Sequence, residues 1–179
     1  IYFAAASWAR KLRQHWHMRK RSYYKKREHI SDHKYNRINM ARFINYLMTG
    51  GKKTRAEFVF YGMMEKLKEI TKQDPIAIFE KAIENVTPLL EVTSRRVGGA
   101  NYQIPREIRP ERKFFLATHW LIQAARSKKG KPMADRLAEE IIAATKNAGN
   151  AIKKKLDMHR MAEANRAFAS LLRKPAVRQ

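Results

Sequence analysis

The sequence predicts a mainly α protein: a bundle of about six helices with a protruding two-stranded β-ribbon and basic terminal extensions. Three observations carry this. Apolar residues recur at helical spacing in six stretches, proline and glycine punctuate those stretches, and one segment around a glycine pair departs from the helical pattern. The expected organisation is a basic N-terminal arm over 1–34, a helical domain over 35–173 with the ribbon at about 89–109, and a short tail over 174–179.

The arm holds ten Lys or Arg and two late acids, Glu28 and Asp32. Its first part, "IYFAAASWARKLRQHWH", is acid-free and mixes aromatic with basic residues, as a targeting remnant or a nucleic-acid-binding arm would. "MRKRSYYKKRE" reads as a fresh start at Met18.

The first helix begins at Ile38, with Ala41, Ile44, Leu47 and Met48 on one face, and ends at "TGGKK". Thr54 with Glu57 is a candidate capping box for the second, which runs to about Ile70. Its apolar face would use Phe58, Tyr61, Met64 or Leu67, and Ile70. Asp74 then Pro75 supplies an N-cap followed by proline at the first helical position, so the third helix runs to about Asn85. Ile78, Ala82, Ile83 and Val86 line its buried side. Pro88 ends it.

"LEVTSRRV" and "ANYQIPREI" flank Gly98-Gly99, a dipeptide suited to the positive φ of a tight hairpin turn. Pro105 cannot donate to a ladder, so the second strand should be an exposed edge or end there. Two strands alone are marginal in water, so the ribbon must lean on the helices at its base. The fourth helix has Phe114, Ala117, Leu121 and Ala124 or Ala125 on one face and stops near Gly130. Pro132 opens the fifth, with Met133, Leu137, Ile141 and Ala144 in register. Gly149-Asn150 breaks it, and the last helix runs from Ala151 until Pro175 stops it.

Charge then narrows the function. Of 179 residues, 39 are Lys or Arg and 16 are Asp or Glu, giving +23. A surface that positive repels itself and favours a polyanionic partner, nucleic acid first. The basic residues cluster at turns and at the ribbon: Lys52, Lys53 and Arg55; Arg95, Arg96, Arg106, Arg109, Arg112 and Lys113; Lys128, Lys129 and Lys131; Lys153, Lys154 and Lys155. Each alone is an ordinary solvated charge run. Their recurrence gives the spread of cations that a phosphate track needs. A thin Arg-rich ribbon on a helical body suits RNA, recognised by shape and backbone. Tyr102 could stack on a base, but packing across the ribbon or onto the body is the expected role.

Catalytic chemistry finds no foothold. There is no cysteine, which removes thiolate nucleophiles and Cys-rich zinc sites. "GGKKT" departs from the phosphate-binding P-loop, because Lys53 stands where Ser or Thr must follow the lysine. Asp157 and His159 are too close on a helix to face each other. Glu139-Glu140 reads as a solvated pair, His119 as a partly buried packing residue, and the six histidines show no metal-ligand spacing. No enzyme, cofactor or metal is expected. No apolar run approaches the roughly 20 residues of a membrane helix.

Three stretches carry a resemblance. "ENVTPLLEVTSRRVGGANYQIPREIRPERK" at 84–113, "RFINYLMTGGKKTRAE" at 42–57 and "AIKKKLDMHRMAEANRAFA" at 151–169 resemble the small-subunit ribosomal protein family S-seven, bacterial and organellar type, over about Met18 to Ala169. The resemblance implies a structural, primary rRNA-binding protein that organises the head, the three-prime major domain, of the small subunit. It implies a place near the E site and the mRNA exit, with tRNA, mRNA and the S-eleven protein as neighbours. It makes Lys52, Lys53, Arg95, Arg96, Lys153, Lys154, Lys155 and Arg160 rRNA contacts, to which the charge clusters add Arg55, Arg109, Arg112 and Lys113. Val97, Gly98, Gly99 and Ala100 become the ribbon tip facing the E site. The segment before Met18 and the ending "SLLRKPAVRQ" depart from the bacterial pattern, which leaves the contacts of that ending open. The first departure favours an organellar matrix, mitochondrial for example, over the bacterial cytoplasm. The rival functions are a basic RNA-processing or RNA-modifying enzyme and a general nucleic-acid packaging protein.

Overall fold

The computed structural model describes residues 29–97 and 99–172, and by internal contacts the chain divides after Ile30. The unit that begins at Ser31 contains, in order, α1 (Ile38–Leu47), α2 (Lys53–Thr71), α3 (Pro75–Val86), β1 (Leu90–Val97), β2 (Ala100–Glu107), α4 (Pro110–Ser127), α5 (Met133–Thr145) and α6 (Asn150–Ala164). A 3-10 turn over Arg166–Leu172 follows. The six helices and the antiparallel two-stranded ribbon are those the sequence predicts.

The core is built around three fully buried rings. Phe43 of α1, Phe60 of α2 and Phe79 of α3 meet pairwise at centroid distances of 5.6, 5.2 and 5.7 Å, tilted or edge-on. Such geometry sets the positive ring edge against the negative face. Each buried phenylalanine contributes about 1.5–3 kcal/mol by leaving water. Around them Leu121, Leu137 and Ile141 close the bundle from α4 and α5.

The proline-led helices start as expected. The Asp74 carboxylate accepts from the Ile76 N–H at 3.0 Å, and Pro75 opens α3. For α2 the capping box does not form. Its N-cap is Lys52, which puts Thr54 inside the first turn, and Glu57 lies 3.8 Å from Lys53 instead. The buried face of α2 also differs from the expected one: Ala56, Phe60, Met63, Met64 and Leu67 point inward, while Phe58 is 81% exposed and Ile70 59%. A helix carrying Phe58, Phe60 and Tyr61 offers two apolar registers. Packing selects the one in which Gly62 lies against α5, where a Cβ at Gly62 would sit 3.7 Å from Ala134.

Asp32 closes the entrance to this unit. It is 6% exposed, accepts from the backbone N–H groups of Lys34 and Tyr35 at 3.2 Å each, and receives the Tyr61 hydroxyl at 2.7 Å. Burial first, then the bond to Asp32, pushes the Tyr61 phenol up to about 12. A raised folded-state value means this contribution is complete below about pH 10 and is lost as pH rises through 12. Phenolate absorbance should show Tyr61 among the last tyrosines to ionise, and Asp32→Ala should bring it down.

The sequence predicts one last helix up to Pro175; in the structure α6 stops at Ala164, where Asn165 breaks it and the 3-10 turn begins. That turn packs on the ribbon. Phe168 meets Tyr102 at 5.1 Å, so Tyr102 has a protein partner of the kind expected.

Candidate nucleic-acid interface

The ribbon registers Leu90 with Glu107 at its base and Val97 with Ala100 at its tip. Eight residues per strand give it about 27 Å of length. Gly99 has φ +92°, the turn conformation that glycine adopts without a Cβ clash; Gly98 lies outside the described residues. Burial is graded along the ribbon. Ile104, Pro105 and Glu91 are buried near the base, whereas Ser94, Arg95, Arg96, Asn101 and Gln103 are exposed farther out. Pro105 does not end the strand, which continues to Glu107. A two-stranded ribbon gives each strand an outer edge, where a missing N–H is tolerated.

Three contacts fix the base. Arg112 Nε donates to Glu91 Oε2 at 2.9 Å, joining α4 to β1. Lys155 Nζ donates to the Asn85 carbonyl at 2.6 Å, and Asn85 Nδ2 donates to the carbonyls of Ala144 and Thr145 at 3.0 and 3.1 Å. Asn85 thus ties the ends of α3 and α5 to α6. Burial holds the Lys155 ammonium below the usual lysine range. His159 Nε2 accepts from the Leu89 N–H at 3.2 Å, just ahead of β1.

That last bond requires a neutral ring. Burial, then Lys155, lowers the His159 value from the ordinary 6.5, against an opposing pull from Glu163. The contribution is therefore complete above about pH 6.5 and lost as pH falls through the lowered value. Amide exchange at Leu89, corrected for its intrinsic rate, should accelerate between pH 7.5 and 5. No acceleration would mean the bond does not hold the ribbon.

The fold gathers basic clusters that lie far apart in sequence. Arg126, near the end of α4, donates through Nη2 to the Leu47 carbonyl and Thr49 Oγ1 at 3.3 and 3.2 Å, placing it against the turn that carries Lys52, Lys53 and Arg55. One turn earlier on α4, Gln123 receives Lys154 Nζ at 2.6 Å, which places Lys153 and Lys154 beside the same helix end. Two clefts flank that end. One, of about 430 Å³, is lined among others by Lys52, Arg55 and Arg126, and one of about 360 Å³ by Lys153 and Lys154. From there α6 runs to the ribbon base, with Arg160 exposed near its end. Arg109, Arg112 and Lys113 sit at the opposite end of α4, roughly 20–25 Å away along the helix.

Sequence reasoning missed Arg126, because a single arginine ending a helix carries no pattern. The turn of Lys128, Lys129 and Lys131 is largely committed locally. Lys131 pairs with Glu139, and Lys128 reaches both Glu139 at 3.9 Å and Glu140 at 2.9 Å. Glu140 is not the solvated residue the sequence suggests: it is 1% exposed and accepts from the Ala151 N–H at 3.0 Å. His119 is exposed rather than partly buried, stacked on Phe115 at 5.6 Å. Among the described residues no three His, Asp or Glu side chains converge as a metal site would require, and no helix is long and apolar enough to cross a membrane.

The family described as "Ribosomal protein S7p/S5e" matches residues 18–166. "Small ribosomal subunit protein uS7" of Dictyoglomus thermophilum is 55% identical over 143 residues, covering 80% of this chain and 92% of that protein. The proteins of the same name from Thermotoga maritima and Magnetococcus marinus are 54% and 55% identical over 144 residues, each covering 80% of this chain, and 93% and 92% of their own lengths.

Proposed function

The chain belongs to the ribosomal protein S7p/S5e family and is a structural component of the small ribosomal subunit, not an enzyme, and from that premise we propose that it is a primary rRNA-binding protein of the subunit head. The observation that supports this most is the gathering of Lys52, Arg55, Arg126, Lys153 and Lys154 around the end of α4. Cations held there by a rigid core lie spread along a surface, as phosphates of converging RNA helices require. Lys53, Arg109, Arg112, Lys113 and Arg160 extend the interface. Lys155 supports it while also tying α6 to Asn85.

Arg95 and Arg96 carry the contact along the ribbon. Its tip, Val97 to Ala100, reaches toward the E site, with tRNA and mRNA close by and the S-eleven protein as a neighbour. Binding of this kind orders rRNA around the protein during assembly. The relatives above are all bacterial and lend no support to an organellar placement, so the bacterial cytoplasm is the compartment we favour.

Gradient sedimentation of native extract tests this reading. Salt-resistant co-migration with small-subunit rRNA, and hydroxyl-radical protection of the head by the pure chain, is expected. Migration as free protein, or equal affinity for duplex DNA and structured rRNA, would overturn it.

A further inference from the structure

We infer that the cleft between the α1–α2 turn and the start of α5 seats one unpaired rRNA base, with its phosphate held at the rim. This rests on the reading that the chain binds rRNA. The cleft has a volume of about 430 Å³, within the range of pockets that enclose small organic groups. Its floor is apolar, formed by Ala56, Val59 and Met133; its rim is cationic, formed by Lys52, Arg55 and Arg126. No carboxylate lines it.

This division matches one chemical class. A nucleotide presents a flat, weakly polar ring at one end and an anionic phosphate at the other. The ring sits against aliphatic side chains and the polarisable Met133 thioether, while the phosphate meets the rim. Phosphate alone would not need the apolar floor, and an apolar peptide side chain would not need three cations. Arg126 is already aimed, since both its bonds to Leu47 and Thr49 use Nη2. The Nε and Nη1 groups of its fork have no partner among the described residues and remain as donors. The second cleft beside α4 lacks the division: Asp157 lines it, and Lys154 already donates to Gln123.

Unpaired bases splayed from a loop or bulge are the part of RNA that proteins read most directly. A seated base therefore adds sequence preference to an interface that otherwise follows the backbone. Because the ring touches only the floor, its contribution does not depend on salt, whereas that of the rim does.

The test uses the full chain bound to small-subunit rRNA. Photo-methionine replaces methionine throughout, and adducts are mapped to the peptide containing Met133. A crosslink to a nucleobase is the expected result. An adduct on ribose only, on another protein, or none from a complex that forms normally would overturn the inference. Val59→Trp, with folding checked by thermal melting, fills the floor and leaves the rim intact. It should weaken rRNA binding about tenfold with an unchanged salt slope, and expose one base to dimethyl sulfate or carbodiimide. Wild-type affinity and base reactivity in a folded Val59→Trp chain would also overturn it. Failure of the wild-type chain to bind rRNA at all would instead sink the functional reading above.

Discussion

Replacing Glu140 with alanine should lower the free energy of unfolding by about 3 kcal/mol, read from urea titrations at fixed salt. The residue looks like any surface glutamate in the sequence, yet it is 1% exposed and joins three parts of the fold. Its Oε1 accepts from the Ala151 N–H at the start of α6, where backbone donors have no partner within the helix. Its Oε2 lies 2.9 Å from the Lys128 ammonium in the α4–α5 turn, a charge contact rather than a directed hydrogen bond. Removing the carboxylate leaves the Ala151 N–H without its acceptor, leaves Lys128 only the longer 3.9 Å contact to Glu139, and opens a cavity at the junction. Glu140→Gln keeps an acceptor for Ala151, and Lys128 is partly exposed and can turn to water. That variant should lose no more than about half as much. A loss below about 0.5 kcal/mol for Glu140→Ala would show that the junction is held by apolar packing alone.

Gly149 belongs to the same device. Its φ is +98°, and a Cβ there would stand 2.8 Å from Glu140 Oε1. Only a residue without a side chain lets the carboxylate approach the first turn of α6. The sequence shows this glycine as a helix breaker; the structure adds that it makes room for a buried anion.

The difference between Glu140 and Asp74 explains how far the sequence was legible. Asp74 is recognisable because its partner, the Ile76 N–H, is two residues away and Pro75 fixes the geometry between them. Glu140 depends on Lys128 and Ala151, whose proximity exists only after α4, α5 and α6 have packed. The ribbon was readable for the same reason as Asp74, since a glycine pair and the extended segments around it are local features. Phe58 and Phe60 were not distinguishable: both fit a helical period, and the choice is made by how closely α2 approaches α5 at Gly62. The basic clusters could be found singly, but their convergence at the end of α4 needed Arg126 and Gln123. Charge density is local, whereas a binding surface depends on tertiary contacts.

That distinction sets the expected outcome at the ribbon. Arg95→Ala with Arg96→Ala should reduce the slope of log K against log salt by about 1.5, since each phosphate contact contributes roughly 0.7–0.9. Extrapolated from 1 M, at 0.15 M salt this corresponds to about 17-fold weaker binding to small-subunit rRNA. The two residues lie opposite Tyr102 and Asn101 on the exposed part of the ribbon, away from its buried base, so melting should change little. Arg112→Ala is the informative contrast. Its guanidinium pairs with Glu91 at 2.9 Å, and that carboxylate is largely buried. Removing the arginine strands an acid at the ribbon base, so this variant should lose stability and change the slope less than the ribbon pair. If the ribbon pair instead leaves the slope unchanged, phosphates do not lie along the exposed strands. The ribbon would then act as a steric element, and the rRNA contact would rest on the cations around α4.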